Sequence, residues 1–462
     1  MTRTPNPDRS GPTAGPDWVD HHLLAGPDGD PCLRFDRPVD RAALRSLVAE
    51  QQALLTGAGL RSGGTAALLL PPSLGHVATL LAVWRAGGQA VLLDHRLTAT
   101  EVDRALERLR PQVLCTADGA RPLPDGRPAA TRHVLVQLSS GSTGPSKVIA
   151  RTADDLLREL DCYERLEDFP KAGGRTVLLS STVHVLGLVG GLLHALHAGV
   201  ELVVPGRATP AAILAAVAAG DAPTTLIGVP FHAELLAAHP LPAPLPQLRR
   251  MIVAGELVRP ALPEAFRRRF GVPLGTMYGM TETGVIATDL SGLGHPRLVP
   301  VHGMELRVAD GELHIRRPES PYLGVTDPTR WSDGLLHTRD AALIDPATGA
   351  VTLLGRRDSQ VSIGGLKIDL TEVEQTLAGL PGVTEAVVVF TDGAVEAYAA
   401  AGPPLDAPPG SAAEQLRELL GTELAGWKLP RRIHLLPQLP RTATGKLLRD
   451  PAALRRQADA TR

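Results

Sequence analysis

The stretch Gln137-Leu-Ser-Ser-Gly-Ser-Thr-Gly-Pro-Ser-Lys147 packs hydroxyl side chains and glycines into a turn that ends in a lysine. The apolar residues 133–138 lead into it and predict a buried strand. Glycines expose backbone N–H groups, and hydroxyls and an ammonium add donors and charge, so the loop suits an anionic ligand. It differs from a P-loop, because Ser146 precedes Lys147 and Val148 follows it. On its own, the stretch is equally compatible with a flexible linker.

Apolar runs alternate with amphipathic segments on both sides of this loop. Residues 66–70 and 90–93 predict strands, and residues 74–86 and 100–110 predict helices. Strands of continuous Val and Leu between helices are typical of a parallel sheet that is covered on both faces. The pattern therefore predicts an α/β protein with helix-covered, largely parallel sheets.

The composition of the chain changes near residue 355, where a smaller pattern of short helices and strands begins. We predict a small C-terminal α+β domain that is joined to the large domain by a hinge. The predicted divisions are a flexible tail at 1–29, a large N-terminal domain at 30–357, and a small C-terminal domain at 358–462.

Composition and charge exclude several classes of partner. The 462 residues are 44% hydrophobic and 21% charged with a net charge of −2, which gives no basic surface for nucleic acid. Three scattered cysteines and an N-terminus without a secretory pattern favour a reducing, cytoplasmic location. Residues 185–204 are apolar enough to suggest a membrane span, but their glycines, histidines and Glu201 favour a buried helix, a turn and a strand.

Four further segments carry residue types that bind nucleotides and metals. They are Tyr278-Gly-Met-Thr-Glu-Thr-Gly284, Thr338-Arg-Asp340, Gly355-Arg-Arg-Asp358 with the following Gly364-Gly365, and Pro440-Arg-Thr-Ala-Thr-Gly-Lys446. An aromatic ring can stack on a base, a carboxylate can bind a hard cation or a ribose, and cations can neutralise phosphate. Each segment alone is also compatible with a surface turn.

Together, the five motifs in this order resemble the adenylate-forming superfamily of acyl-CoA synthetases, carrier-protein adenylation domains and luciferases. The resemblance extends over roughly residues 40–449. It implies a two-step ligase, in which ATP converts a carboxylic acid to an acyl-adenylate with release of pyrophosphate, and a pantetheine thiol then takes the acyl group. The implied cofactors are ATP and Mg²⁺, and the implied acceptor is coenzyme A or the phosphopantetheine of an acyl carrier protein.

The resemblance also implies a role for individual residues. The β- and γ-phosphates would bind to Ser139, Ser140, Gly141, Ser142, Thr143, Gly144 and Lys147. The adenosine and α-phosphate would bind to Ala254, Gly255, Glu256, Tyr278, Gly279, Met280, Thr281, Asp340 and Arg356. Glu282 would hold Mg²⁺ and act in catalysis with Thr281 and Lys446, and Lys446 would bridge the carboxylate and the α-phosphate. Asp358 would be the hinge, and Gly364 and Gly365 would form the pantetheine loop.

The resemblance makes residues 30–357 the ATP- and acid-binding domain and residues 358–462 the mobile domain with the catalytic lysine. The acid-binding pocket is expected to include His184, Val229 and Phe231, which suggest a largely apolar slot. No aspartate that could pair with an α-amino group stands in residues 181–188, which favours a neutral acyl or aryl acid. A satisfied core histidine is an equally good interpretation of His184. Two departures from the family pattern stand out: Arg339 replaces the glycine of T-G-D, and Ser362 stands where many relatives have a lysine for the second half-reaction.

The resemblance leaves four interpretations of the function open. An acid–thiol ligase that uses coenzyme A is favoured over a stand-alone enzyme that loads an acyl carrier protein. A catalytically impaired relative that binds nucleotide or acyl groups is an alternative of another class, and luciferase-like oxidation is a remote one.

Overall fold

The computed structural model describes residues 17–139, 147–240, 244–324, 327–357, 359–401, 412–440 and 447–460. The chain forms two compact units, which we describe separately. The first unit comprises Met1–Asp94, Arg110–Leu138 and Val148–Gly355, and the second comprises His95–Leu109, Ser139–Lys147 and Arg356–Arg462.

The described residues form twelve α-helices, one π-helix and one short 3₁₀-helix. The α-helices are α1 (Trp18–His22), α2 (Arg41–Gly57), α3 (Leu74–Arg85), α4 (Ala99–Leu109), α5 (Ala153–Arg165), α6 (His194–Ala198), α7 (Pro210–Ala218), α8 (Pro230–Ala238), α9 (Leu262–Phe270), α10 (Leu370–Ala378), α11 (Ala412–Glu423) and α12 (Pro451–Ala460). The π-helix is Leu186–Leu193 and the 3₁₀-helix is Gly426–Lys428.

The same residues form twenty-five strands. In the first half of the chain they are β1 (Pro31–Arg34), β2 (Pro38–Asp40), β3 (Thr65–Leu68), β4 (Gln89–Leu92), β5 (Val113–Thr116), β6 (Gly119–Pro122), β7 (Leu135–Ser139), β8 (Lys147–Arg151), β9 (Arg175–Leu178), β10 (Glu201–Val203) and β11 (Thr224–Gly228). They continue with β12 (Leu248–Val253), β13 (Leu274–Met280), β14 (Gly284–Asp289), β15 (Arg297–Pro300), β16 (Leu306–Ala309), β17 (Glu312–Arg316), β18 (Trp331–Ser332), β19 (Leu335–Ile344) and β20 (Val351–Arg356). The last are β21 (Gln360–Ile363), β22 (Leu366–Asp369), β23 (Val383–Thr391), β24 (Ala394–Ala401) and β25 (Arg432–Leu436).

Two sheets organise the first unit. A six-stranded sheet has the order β6-β5-β3-β4-β7-β8, and β3 pairs in parallel with both β4 and β5. A fourteen-stranded sheet has the path β16-β17-β19-β20-β15-β14-β13-β12-β11-β9-β10-β1-β2, with β18 on β19. The neighbouring strands β10, β9, β11, β12 and β13 of this path pair in parallel. The pairs β13–β14 and β14–β15 are antiparallel. The α/β prediction is confirmed, with an antiparallel extension that the apolar runs did not reveal.

The apolar residues 185–204 form a buried corner of the first unit. The π-helix continues into α6, which ends at Gly199 in the left-handed conformation (φ +68°), and β10 follows. Glycines allow the close packing here, because a Cβ on Gly191 would lie 2.8 Å from Leu178. This agrees with the predicted helix, turn and strand, and no described helix has the length and apolarity to cross a membrane.

The start of the described chain is packed against the core. Trp18 and Val19 of α1 are buried, and the ring of Trp18 lies 5.3 Å from that of Trp84 on α3. The segment expected to be a flexible tail therefore contains a helix from residue 18 onward that contributes to the hydrophobic core.

The second unit has its own core. A three-stranded sheet, β23-β24-β25, packs against α10 and α11, and β21 and β22 form a hairpin. Residues 95–109 belong to this unit: Lys428 Nζ lies 2.8 Å from Glu101 of α4 and 3.0 Å from Glu372 of α10. Burial alone would lower the pKa of Lys428, but these two carboxylates raise it on balance.

Candidate functional site

The motif at residues 278–284 forms the end of β13 and the turn into β14. The glycines permit this turn: a Cβ on Gly279 would lie 2.6 Å from the carbonyl oxygen of Gly284, and Gly284 itself has φ +83°. The backbone N–H of Thr283 donates to the carbonyl oxygen of Met280 at 3.2 Å. The hairpin thus presents Thr281 and Glu282 at its tip.

A buried carboxylate from α5 fixes the base of this hairpin. Glu159 accepts hydrogen bonds from the backbone N–H of Val285 at 3.2 Å and from the Tyr163 hydroxyl at 2.9 Å. Its other oxygen accepts from Arg151 Nη1 at 2.5 Å, and both side chains are buried. A Cβ on Gly284 would overlap this carboxylate, so residue 284 must be glycine for packing as well as for its backbone conformation.

Glu282, the predicted magnesium ligand, is buried and accepts a hydrogen bond from the Tyr322 hydroxyl at 3.0 Å. Burial and the neighbouring Glu282 carboxylate raise the pKa of Tyr322 far above its ordinary value, so this hydroxyl remains a donor. Tyr322 is held by β8, the strand that follows the glycine-rich loop, through a bridge to Ile149. Tyr322 could not be predicted from the sequence, because the partner of its hydroxyl lies forty residues away.

Tyr278 and Asp340 are brought together as the predicted adenosine site requires. The Tyr278 hydroxyl donates to Asp340 Oδ2 at 2.5 Å, and Asp340 is buried. The backbone N–H of Asp340 donates to Thr338 Oγ1, whose hydroxyl donates to the carbonyl oxygen of Leu313. The carboxylate is therefore aimed by a chain of hydrogen bonds that starts in β17.

Arg339, which replaces the motif glycine, adopts the left-handed conformation that glycine favours, with φ +63°. Two contacts hold it there: its backbone N–H donates to Glu312 Oε1 at 3.0 Å, and its Nη2 donates to the carbonyl oxygen of Thr329 at 2.6 Å. The departure from T-G-D thus keeps the backbone geometry that positions Asp340.

The predicted adenine turn and part of the acid pocket are neighbours. Ala254 follows β12 and is buried, and Gly255 has φ +94°. The atom nearest to a Cβ built on Gly255 is Val229 Cγ1, at 3.9 Å, so the backbone there leaves room for a ligand. Val229 is buried, whereas Phe231, the second residue of α8, has an exposed fraction of 51%.

His184 lies in the segment between β9 and the π-helix, with a half-exposed side chain. Its Nε2 is 3.9 Å from Asp94 Oδ2, and Asp94 is buried. The amide of Gln137, just before the glycine-rich loop, donates to the carbonyl oxygen of Val183 at 2.5 Å. His184 is therefore unlike a core histidine, which would be buried with both ring nitrogens hydrogen-bonded.

In the second unit, Gly364 and Gly365 form the tip of the β21–β22 hairpin, with φ of +57° and +79°. Ser362 and Lys367 lie directly opposite each other in this hairpin. Opposite residues of an antiparallel pair project to the same face, so Lys367 supplies a cation beside the position where the family lysine is absent. Arg356 ends β20.

Several predicted site residues lie outside the described residues, and the side chain of Ser139 at the end of β7 is also outside them. They are Ser140, Gly141, Ser142, Thr143, Gly144, Asp358 and Lys446. Lys147 begins β8 and Glu256 follows Gly255, as the motif order requires.

The sequence of this chain matches two protein-family models. The model of the AMP-binding enzyme family matches residues 42–133 and 116–324, and that of the AMP-binding enzyme C-terminal domain matches residues 372–446. This chain belongs to the AMP-binding enzyme family. The sequence-based assignment to the adenylate-forming superfamily is confirmed, and with it the assignment as an AMP-forming acid–thiol ligase.

Relatives of this chain can be aligned with most of its length. p-Hydroxybenzoic acid–AMP ligase FadD22 of Mycobacterium tuberculosis is 30% identical, over 92% of this chain and 67% of that protein. Feruloyl-CoA synthase of an Amycolatopsis species is 28% identical, over 86% of this chain and 89% of the relative. The fold matches a double mutant of o-succinylbenzoate CoA synthetase (MenE) from Bacillus subtilis, with a TM-score of 0.81, 23% identity, and coverage of 96% and 98%.

Proposed function

We propose that this protein activates an aromatic carboxylic acid with ATP and transfers the acyl group to the thiol of coenzyme A. The observation that carries the proposal is the hydrogen bond from Tyr278 to Asp340, beside the hairpin tip that carries Glu282. It joins an aromatic plane for a base, a carboxylate for ribose hydroxyls and a carboxylate for a hard cation in one unit of the fold.

The residues present fit a magnesium nucleotide. The Asp340 carboxylate is aimed by the Thr338 hydrogen bond, and the turn at Gly255 is open enough for the close approach of a base. Glu282 is oriented by Tyr322, which is the kind of outer partner that metal ligands use. Bound Mg²⁺ would neutralise phosphate charge, and Thr281 would donate to the α-phosphate from the same turn.

The first step is an in-line displacement at phosphorus. A carboxylate oxygen of the acid forms a bond to the α-phosphorus, and the bond to the bridging oxygen of the β-phosphate breaks, which releases pyrophosphate. We infer that the loop from Ser139 to Lys147 binds the departing pyrophosphate and that Lys446 holds the attacking carboxylate in line. Their contribution is positioning and stabilisation of the charge that develops in the transition state.

In the second step the pantetheine thiol loses its proton to solvent and its sulfur bonds to the acyl carbonyl carbon. The bond from that carbon to the phosphate oxygen breaks, which releases AMP. We infer that the β21–β22 hairpin, with Gly364 and Gly365 at its tip, guides the pantetheine arm, and that Asp358 is the hinge between the two steps. Lys367 takes the place of the missing lysine at position 362, because it projects from the same face of the hairpin.

An aromatic acid is supported by the pocket residues and by the relatives. Val229 and Met280 are buried and apolar, and Gly255 leaves space beside Val229. Among the described relatives, one is named for p-hydroxybenzoic acid and one for a feruloyl thioester. The half-exposed His184, with Asp94 beside it, offers a polar partner for a ring substituent such as a hydroxyl.

The test of the acid is the exchange of labelled pyrophosphate into ATP in the presence of a panel of acids. We expect exchange with 4-hydroxybenzoate, ferulate or related aryl acids to exceed exchange with fatty acids and amino acids. Preferred exchange with a fatty acid would overturn the aromatic assignment, and folded protein that gives no exchange with any acid would overturn adenylation itself.

The test of the acceptor offers the preformed adenylate to coenzyme A and, separately, to a phosphopantetheinylated carrier protein. We expect coenzyme A to discharge the adenylate faster. Faster discharge by the carrier would assign the protein to the carrier-loading enzymes and contradict the coenzyme A proposal.

A further inference from the structure

A cluster of two histidines and one glutamate lies on the paired strands β17 and β19. None of the three is among the residues proposed to bind ATP. Glu312, His314 and His337 each offer one ligand atom, and these three atoms all lie within 4.8 Å of one another. The first two side chains are buried and the third is half-buried. Two imidazoles and one carboxylate form a donor set that zinc uses in proteins.

The strand pairing explains why the three side chains meet. Glu312 and His314 are two residues apart on β17, so they project to the same face of the sheet. His314 lies directly opposite His337, and their rings are 4.4 Å apart. A register shift between Glu312 and His314 accommodates the turn of the backbone at Arg339 on the partner strand.

A second observation points to a ligand at this cluster. The His314 side chain is more than nine-tenths buried, and its Nδ1 has no hydrogen-bond partner among the described residues. A buried polar atom without a partner is unfavourable, and a bond to a metal would supply the missing partner. The Nε2 of His337 is 3.0 Å from Ser332 Oγ, so that ring is oriented through one nitrogen and can bind through the other.

The burial of the Glu312 carboxylate can be explained without a metal, because Arg339 Nη1 lies 3.6 Å from its Oε2. This contact does not account for the nitrogen of His314. When Glu312 binds a cation through Oε2, its Oε1 keeps the hydrogen bond from the backbone N–H of Arg339, and the guanidinium keeps the carbonyl oxygen of Thr329. Ligand atoms around a tetrahedral zinc ion are about 3.4 Å apart, which small side-chain rotations can reach from the observed separations.

We propose that Glu312, His314 and His337 bind one zinc-type divalent cation, with a water molecule as the fourth ligand. The cation would be structural. It would fasten β19 to β17 three residues before Asp340, on the strand that presents this carboxylate to the nucleotide. The proposal does not depend on the identity of the acid or of the thiol acceptor.

The experiment is a titration of tag-free, chelator-treated protein with Zn²⁺, and with Co²⁺ as an optical probe, in the absence of nucleotide. We expect one equivalent of zinc to bind and to raise the melting temperature, and Co²⁺ to give the visible absorption of a tetrahedral site. The variants His314→Gln and His337→Gln should each weaken binding by about tenfold or more. His302→Gln changes an exposed histidine of the same unit and should bind as the wild type does.

Equal zinc binding by the wild type and both cluster variants would overturn the proposal, as would the absence of binding at micromolar zinc. If the variants fail to fold, the wild type alone decides the matter. Copper-catalysed oxidation by ascorbate, mapped by mass spectrometry, should modify His314 and His337 in preference to His302. Oxidation that is no greater at the cluster than at His302 would contradict the site.

Discussion

At the scale of single residues, the turn that carries Glu282, the proposed magnesium ligand, depends on a partner that is distant in sequence. Glu282 sits at the tip of a hairpin, and Tyr322, forty residues later, donates the hydrogen bond that orients its carboxylate. A ligand whose outer partner is removed loses orientation before it loses charge. In this proposal Tyr322 orients the carboxylate, and Glu282 supplies the charge that binds the cation.

We expect Tyr322→Phe to raise the magnesium concentration for half-maximal pyrophosphate exchange by about tenfold, with a smaller effect at saturating magnesium. Glu282→Gln should lower exchange at all magnesium concentrations, because it removes the ligand charge. A magnesium titration of the exchange rate for each variant checks this. An unchanged magnesium dependence in Tyr322→Phe would show that the hydrogen bond does not serve the metal.

The hairpin residues Ser362 and Lys367 give a second prediction at this scale. Lys367→Gln should lower thioester formation from the preformed adenylate by about tenfold or more, and leave exchange nearly unchanged, because it removes a cation needed only in the second step. Ser362→Ala is the matched control on the opposite strand and should change neither rate. Equal losses in both half-reactions for Lys367→Gln would assign the lysine a general structural role.

At the scale of secondary-structure elements, α5 and the β13–β14 hairpin meet through a single carboxylate. Glu159 joins Arg151, Tyr163 and the backbone of Val285, and Gly284 leaves the space that this carboxylate occupies. Removing one partner of a buried pair of this kind typically costs about 3–5 kcal/mol, because a buried charge is left uncompensated.

We therefore expect Gly284→Ala to lower the free energy of unfolding by about 3 kcal/mol or more and to abolish exchange, since the added methyl displaces Glu159. Gly303→Ala is the control, because Gly303 has a similar φ of +76° and no atom lies within 4 Å of the added carbon. Urea unfolding of both variants checks this. Equal losses of stability would attribute the effect to backbone strain alone.

The buried end of the π-helix gives a prediction about pH. His194 packs edge-on against Tyr163 and Phe169, and burial, with His197 and Lys171 nearby, lowers its pKa to about 3. Because the folded pKa lies below the unfolded value, this histidine favours folding above about pH 6.5, and its contribution is lost as the pH falls towards 3.

Between about pH 7 and pH 5, this residue should contribute a loss of about 2 kcal/mol to the free energy of unfolding. His194→Phe keeps a flat ring and removes the titration, so its stability should fall less over the same range. Urea unfolding at several pH values compares the two proteins. Parallel pH dependence would mean that other groups control acid unfolding.

At the scale of the whole molecule, sequence predicted the α/β class, the motif order and the family, because each depends on local periodicity or short spacing. The strand-helix alternation before residue 205 and the Tyr278–Gly284 turn are local in this sense. The antiparallel strands β14 to β20 were not predicted, since their pairing is set by contacts between distant segments. For the same reason sequence did not reveal Tyr322 or Glu159, and Lys367 became notable only when its register opposite Ser362 was known.

Arg339 shows how a residue other than glycine can occupy a left-handed position. The motif glycine is replaced, yet the left-handed backbone is retained because Glu312 and Thr329 accept hydrogen bonds from the arginine. Only the structure could reveal this compensation, since Glu312 lies on another strand.

The proposed reaction forms a thioester through an acyl-adenylate. The most direct measurement incubates the protein with ATP, Mg²⁺, 4-hydroxybenzoate or another acid active in exchange, and coenzyme A, and quantifies products by liquid chromatography and mass spectrometry. We predict acyl-coenzyme A and AMP in equal amounts, with pyrophosphate, and none of these products from Lys446→Ala within the assay time. Formation of ADP and phosphate, or ATP cleavage to AMP without any thioester, would contradict the account.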